Sequence, residues 1–404
     1  MSPDPPFSQR RQRSRATPAG LPAPGPDARR HSDRLAALIR GTLEQQGGVL
    51  SFRDFMQLAL YAPGLGYYSA GSRKLGGEGD FITAPEIAPL FSRTLARAVA
   101  PVLARLPEAR ILEAGAGSGV MAADLLAELE ASGIGPVRYS ILEVSADLRA
   151  RQRATLQQRN PAALERVEWL NAWPEEFTGV VLANELLDAM PVHRVIRDGN
   201  GWRECCVGSE PDRFVWRSGE LTVPELQARL DAIEAGGALP DGYVTEINLA
   251  AEDWIRTLAG HLAQGLVLLI DYGFPRREYY HPERRQGTLM CHYRHRAHDD
   301  PFYLVGLQDI TAHVDFTAMA DSALAAGLKV AGYTTQAHFL LGSGLTGLAA
   351  ETDADAETQL GLANQVRRLT LPQEMGELFK VMALTKNLAA NLPGFAVRDL
   401  RGKL

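Results

Sequence analysis

The stretch from Ala109 to Val120, A-R-I-L-E-A-G-A-G-S-G-V, sets the limits on what this chain can fold into. Ile111 and Leu112 begin a short apolar run of strand character, and Glu113 ends it. Gly115, Gly117 and Gly119 follow at alternate positions. From Val120 onward, Met121, Leu125, Leu126 and Leu129 are apolar at helical spacing. Strand, glycine turn and helix in this order mark the nucleotide end of an open, doubly wound α/β sheet. Glycine suits the turn because a side chain there would hold a ligand away from the backbone.

The remaining chain supplies the other layers of such a sheet. Strands are expected at 137–142, 166–170, 179–183, 266–272, 328–334 and 379–385, and helices at 146–159, 185–189, 248–263 and 316–326. Residues 193 to 245 interrupt this alternation with hairpin character, and 335 to 376 form a second insertion. Ahead of the core, 32–46 reads as a helix ended by Gly47-Gly48, and Ser51 with Asp54 opens another that runs to about Tyr61. The stretch 64–89 is glycine-rich and poorly periodic, yet its aromatics argue against disorder. Residues 1–30 hold many Pro and Arg and few apolar residues, so a disordered tail is expected. The division is then a tail over 1–30, a helical cap with a lid loop over 31–105, and the α/β domain over 106–404.

A net charge of −6 gives no case for a nucleic-acid surface. No apolar run approaches the ~18 residues of a membrane helix, so no membrane insertion is expected. The three cysteines, adjacent Cys205 and Cys206 with distant Cys291, make no disulfide framework and point to a reducing compartment. Bacterial cytoplasm is the expected location. The Arg-rich start leaves the mitochondrial matrix as the alternative, although its prolines oppose an amphipathic presequence.

Dinucleotide folds place a third small residue where this chain has Val120, so the spacing here is E-x-G-x-G-x-G. That spacing fits S-adenosylmethionine, which has no pyrophosphate to seat on a helix end. Glu113 suits its cationic groups. Glu143, some 24 residues beyond Gly119 and at a predicted strand end, is placed to accept both ribose hydroxyls. The closing order, helix 316–326 followed by strands 328–334 and 379–385, matches a methyltransferase sheet with a final antiparallel strand. The fold class expected is therefore α/β, a Rossmann-like class I methyltransferase sheet with a helical cap and insertions.

Further stretches carry a resemblance. Y-A-P-G-L-G-Y-Y (61–68), G-D-F-I-T-A-P-E-I (79–87), L-E-A-G-A-G-S-G (112–119), A-N-E-L-L-D-A-M-P (183–191), I-D-Y-G-F (270–274), Q-D-I-T-A-H-V-D-F (308–316) and M-G-E-L-F-K-V-M (375–382) resemble the MidA family, also called the complex I assembly factor 7 family. The resemblance implies a methyltransferase dependent on S-adenosylmethionine that acts on protein arginine, with a respiratory complex I subunit as the mitochondrial member's target. Cys291-His292 departs from it, a more aromatic pair being expected there. The expected partners are a protein substrate and, left open, a second copy of the chain. A small-molecule methyltransferase and an assembly chaperone that binds the cofactor without catalysis stand as rival readings.

Methyl transfer to a guanidinium needs groups that orient a nitrogen and help it lose a proton. Asn184, Glu185 and Asp188 follow strand 179–183 at the ligand edge of the sheet, and on a helix Glu185 and Asp188 would share a face. A helix start with acids favoured by its dipole is the plain alternative. Asn171 and Trp173 follow strand 166–170, where adenine is commonly met by a hydrogen bond and by stacking. Asp271-Tyr272 ends the next strand and is expected to face the cleft. His313 is a candidate proton acceptor, and Asp80 and Thr83 sit on the candidate lid, 79–85. The spacing Cys291-His292-x-x-His295-x-x-His298 matches no standard zinc site, so no metal is expected.

Overall fold

The computed structural model describes residues 21–70, 83–199, 201–351 and 355–404. Its centre is a sheet of seven strands: β1 (Arg110–Ala114), β2 (Arg138–Leu142), β3 (Val167–Leu170), β4 (Phe177–Asn184), β5 (Leu262–Phe274), β6 (Lys329–Thr335) and β7 (Phe379–Lys386). They lie in the order β3-β2-β1-β4-β5-β7-β6. The pairs from β3 to β5 are parallel, whereas β7 runs antiparallel to both β5 and β6. This is the closing strand the sequence pattern anticipated. A short strand, Val314–Asp315, pairs parallel with the end of β5.

Central strands are covered on both faces, which is why β4 and β5 read as continuous apolar runs. One face carries α4 (Pro89–Leu103), α5 (Val120–Ala131) and α6 (Ala146–Arg159). The other carries α7 (Leu249–His261) and α8 (Phe316–Ala325). The second insertion folds into three helices, Gln336–Gly342, Leu345–Ala350 and Ala356–Thr370, and Leu345, Leu348 and Leu369 join the α4 side of the core.

Ahead of the core lie α1 (Pro26–Gln45), α2 (Phe52–Tyr61) and a single turn, α3 (Ala84–Ile87). The helix α1 starts earlier than the expected tail boundary, because Pro26 at its first position and Asp27 in its first turn suit a helix start. Ser51 caps α2 as the sequence pattern indicated: it accepts the N–H of Asp54 at 3.0 Å and donates to that carboxylate at 2.8 Å.

The first interruption is more than a hairpin. His193–Asp198, Gly201–Glu210, Arg213–Gly219 and Val244–Ile247 form one antiparallel sheet. Leu50–Ser51, just before α2, adds to its edge. The N-terminal helices and this insertion therefore share a core in which Phe55 meets Phe214 and Phe302 edge-on. The chain after β5 also forms a small sheet, of strands Met290–Tyr293, Arg296–His298 and Asp309–Thr311. Its hairpin turns through Arg294 and His295, both at positive φ. A two-residue turn of this kind matches the twist of its strands.

Residues 185–189 are not the expected helix. Glu185 has a φ of 51°, and the chain passes through an irregular turn before Met190. Glu185 and Asp188 therefore do not share a helix face.

Candidate active site

A cleft of about 290 Å³ opens at the carboxyl ends of β1, β2 and β4. Open α/β sheets bind ligands at this edge. Two halves meet in it.

The first half is the glycine loop after β1. Gly115 and Gly119 take φ values of 74° and 82°, which side chains other than glycine's rarely adopt. A Cβ on Gly119 would stand 3.0 Å from the Cα of Gln152, and one on Gly115 would stand 2.9 Å from Leu186 Cδ1. Gln152 in turn donates to the Gly117 carbonyl at 3.1 Å. Glu113, 2 % exposed, takes the Tyr139 hydroxyl at 2.7 Å. Burial pushes its carboxyl up to about 7, and the Tyr139 bond opposes that shift. Glu143, at the end of β2, accepts the Ser145 N–H at 2.8 Å and Gln152 Nε2 at 3.4 Å. Burial raises its pKa too. The cradle kept open by glycine, with one acid at its base and one at the end of the next strand, fits S-adenosylmethionine. Glu113 and the loop would meet its amino-acid end, and Glu143 its ribose hydroxyls.

The second half lies against the turn after β4. Glu185 accepts from Asn184 Nδ2 at 3.1 Å and from the Ala84 N–H at 3.3 Å. Burial, then the neighbouring Asp188, pushes its carboxyl up to about 8. Asp188 is 5 % exposed and takes a hydrogen bond from Tyr272. Burial raises the pKa of both Asp188 and Asp271. Asn184 Oδ1 and Asp188 Oδ1 are buried with no hydrogen-bond partner. Among the described lining residues, Arg151 is the one cation, and it pairs with Asp147 at 2.8 Å.

Glu113, Gly115, Gly117, Glu143, Asn184, Glu185 and Thr83 all line this cleft. Gly119 stands at the start of α5, just behind the loop. Asp80 lies outside the described residues. Other candidates fall elsewhere. Asp188 backs the cleft from behind Glu185, while Asp271 and Tyr272 lie beneath the turn and do not face the opening. Asn171 is exposed and accepts from Arg149 at 2.6 Å. Trp173 packs against Trp254 and His261, under the opposite face of the sheet. Neither lines the cleft.

His313 lines a separate small cavity and stands edge-on to Tyr272 and Phe274. Burial, then Arg284 and Lys380, lowers its pKa to about 4, so the ring is neutral near pH 7. It lies away from the cleft and is not placed to accept a proton there. Cys291 is buried in the cap core, and His295 sits on the hairpin turn. Among the described residues no three His, Cys, Asp or Glu side chains cluster as metal ligands.

Three tyrosines of the cleft were not singled out residue by residue in the sequence: Tyr61, Tyr67 and Tyr68. Tyr67 and Tyr68 belong to the aromatics of the irregular, glycine-rich stretch, and Tyr61 ends the helix before it. Glu86 was also missed; it receives the Ser118 hydroxyl and ties α3 to the glycine loop.

The strand order, the antiparallel β7 and the glycine loop between two acids define a class I methyltransferase. Residues 94–334 match the model of the family described as "Putative S-adenosyl-L-methionine-dependent methyltransferase", and the chain belongs to that family. S-adenosylmethionine is its cofactor. A Burkholderia thailandensis protein crystallised with S-adenosyl-homocysteine is 48 % identical, with a TM-score of 0.91, covering 95 % of this chain and all of that one. The protein named protein arginine methyltransferase NDUFAF7, mitochondrial, is 29 % identical in mouse, over 83 % of this chain and 81 % of that one. Its zebrafish counterpart is 27 % identical over 83 % of each. Among the described residues no helix is long and apolar enough to cross a membrane.

Proposed function

We propose that the protein transfers a methyl group from S-adenosylmethionine to an arginine guanidinium of a protein substrate. One observation carries this reading: the second half of the cleft presents the Glu185 carboxylate and Asn184, and the one cation among the described lining residues, Arg151, is already paired with Asp147. Asn184 Oδ1 is buried and unpartnered beside Glu185, and both residues line the cleft, with Asp188 behind them. A buried polar atom without a partner costs about 1–3 kcal/mol, so the natural ligand is rich in donors. A guanidinium has five N–H donors in a planar fork. The names of the mouse and zebrafish relatives support the same acceptor. A respiratory complex I subunit is the substrate class to test first.

The bound cofactor supplies an electrophilic methyl group. Glu185 orients the guanidinium and takes the proton that the nitrogen loses on methylation. Asn184 holds Glu185 in place, and Asp188 adds negative charge behind it. The strained φ of Glu185 aims the carboxylate into the cleft.

Only ionised Glu185 can do this. Because its pKa is raised to about 8, the competent form is lost as pH falls below that value. The test is methyl transfer from labelled cofactor to an arginine peptide between pH 6 and 9. Activity is expected to fall toward pH 6, and hydrolysed product to contain methylarginine. Glu185→Gln should lose about 100-fold or more in turnover, the range for a general base. Label on any residue other than arginine, or full activity in Glu185→Gln, would overturn the reading.

A further inference from the structure

Tyr61 ends α2 and Tyr68 follows seven residues later. The turn between them is tight: a Cβ on Gly66 would meet the Ala62 nitrogen at 2.5 Å. It folds the chain back so that the backbone N–H groups of Tyr67 and Tyr68 donate to the carbonyls of Ala59 and Leu60 at 2.9 and 2.8 Å. The rings of Tyr61 and Tyr68 stack as a result, with centroids 5.5 Å apart and planes 25° apart. Tyr67 braces Tyr68 edge-on at 5.1 Å.

Both hydroxyls are already used. Tyr61 donates to the Ala189 carbonyl at 2.9 Å, in the turn that also carries Glu185. Tyr68 donates to Asp309 at 2.8 Å, and that carboxylate is 3 % exposed and also takes the Ile310 N–H. Each ring is thus held by its neighbour and by one anchored oxygen. Burial raises both phenols above their ordinary range, so neither serves as a proton carrier near neutral pH. What the pair offers the cleft is aromatic surface beside Asn184 and Glu185. Tyr61 and Tyr68 line the same cleft as Glu143, Asn184 and Glu185.

We propose that Tyr61 and Tyr68 determine substrate specificity, presenting an aromatic wall on which the flat face of a guanidinium rests while its edge meets Glu185. The inference rests on the arginine reading above and deepens it. A guanidinium is planar and weakly hydrated, so it can stack and donate sideways at once; an ammonium is compact and holds its water. The wall therefore selects arginine over lysine, a choice that carboxylates alone make poorly.

The test uses the full chain with labelled cofactor and two peptides that differ only in an arginine or lysine acceptor. Tyr61→Phe and Tyr68→Phe keep the ring and should keep KM for the arginine peptide within about threefold. Tyr61→Leu and Tyr68→Leu should raise that KM by about 5- to 30-fold and narrow the preference for arginine. Cofactor affinity by calorimetry should stay unchanged. Stepwise fluorinated phenylalanine at position 68 keeps the shape and weakens the ring's charge distribution, so it decides the matter if the Leu variants misfold: KM should climb with each fluorine. A flat fluorine series, or Leu variants with wild-type KM and selectivity, overturns this inference alone. A wild-type protein that does not label the arginine peptide overturns the arginine reading and this inference with it.

Discussion

Asp271 accepts the backbone N–H of Leu187 at 2.9 Å, and the same carboxylate oxygen takes the N–H of Asp188 at 3.3 Å. Its other oxygen receives the N–H of Tyr272 at 2.9 Å. An irregular turn leaves such N–H groups without helical partners, and a buried carboxylate is what satisfies them. Asp271 thereby fixes the turn that aims Glu185. Asp271→Ala strands two buried donors at about 1–3 kcal/mol each. A melting temperature lower by several degrees is expected, with methyl transfer reduced about tenfold or more and cofactor affinity within about threefold of wild type. Transfer at the wild-type rate in a folded Asp271→Ala would remove Asp271 from this role.

Glu113 and Tyr139 predict a pH dependence of cofactor binding. The folded-state pKa of Glu113 is raised to about 7, above the ordinary value of 4.5. Its protonated form favours folding, so that contribution is complete below about pH 4.5 and is lost as pH rises through about 7. The ionised form is the one that attracts the cofactor's ammonium. Affinity for S-adenosylmethionine should therefore strengthen from pH 6 to 8, by at most about tenfold per unit. Tyr139→Phe removes the bond that opposes the shift and moves the midpoint to higher pH. Calorimetry across this range checks both; an affinity independent of pH counts against Glu113 as the ammonium partner.

Gly119→Ala combines two costs. A left-handed backbone costs a residue with a Cβ roughly 1–2 kcal/mol. The new methyl also presses on the Gln152 backbone, whose side chain holds both the Gly117 carbonyl and Glu143. The variant should fold and bind the cofactor about tenfold or more weakly. Binding at wild-type affinity would show that the loop yields without moving Glu143.

Much of the fold was legible because its signals are local. The boundaries of α5 and α6 agree with the helical spacing at 120–131 and 146–159, and the Ser51–Asp54 cap follows from two residues three apart. The glycine loop was legible for the same reason, since its conformation demands glycine whatever surrounds it. The turn at 185–188 was not. Its acids three residues apart suit a helix start, and bonds from distant parts of the chain, among them the buried carboxylate 83 residues downstream, hold them in another shape.

Trp173 shows the same limit. A tryptophan after a strand end suits a stacking role, but which face of the sheet it meets depends on where α7 packs.

The sequence alone determined the sheet, its closing strand, the glycine loop and the donor that loop receives, because each rests on spacing within a few residues. Tertiary structure decided the acceptor side. There Tyr61 and Tyr68 from the cap, Glu185 after β4, and the supporting Asp271 and Asp309 come together from four places along the chain. No local period records that meeting. It follows from how the cap and the insertion sheet pack over the edge of the core, where burial raises the carboxyl pKa values and leaves oxygen acceptors waiting for a donor.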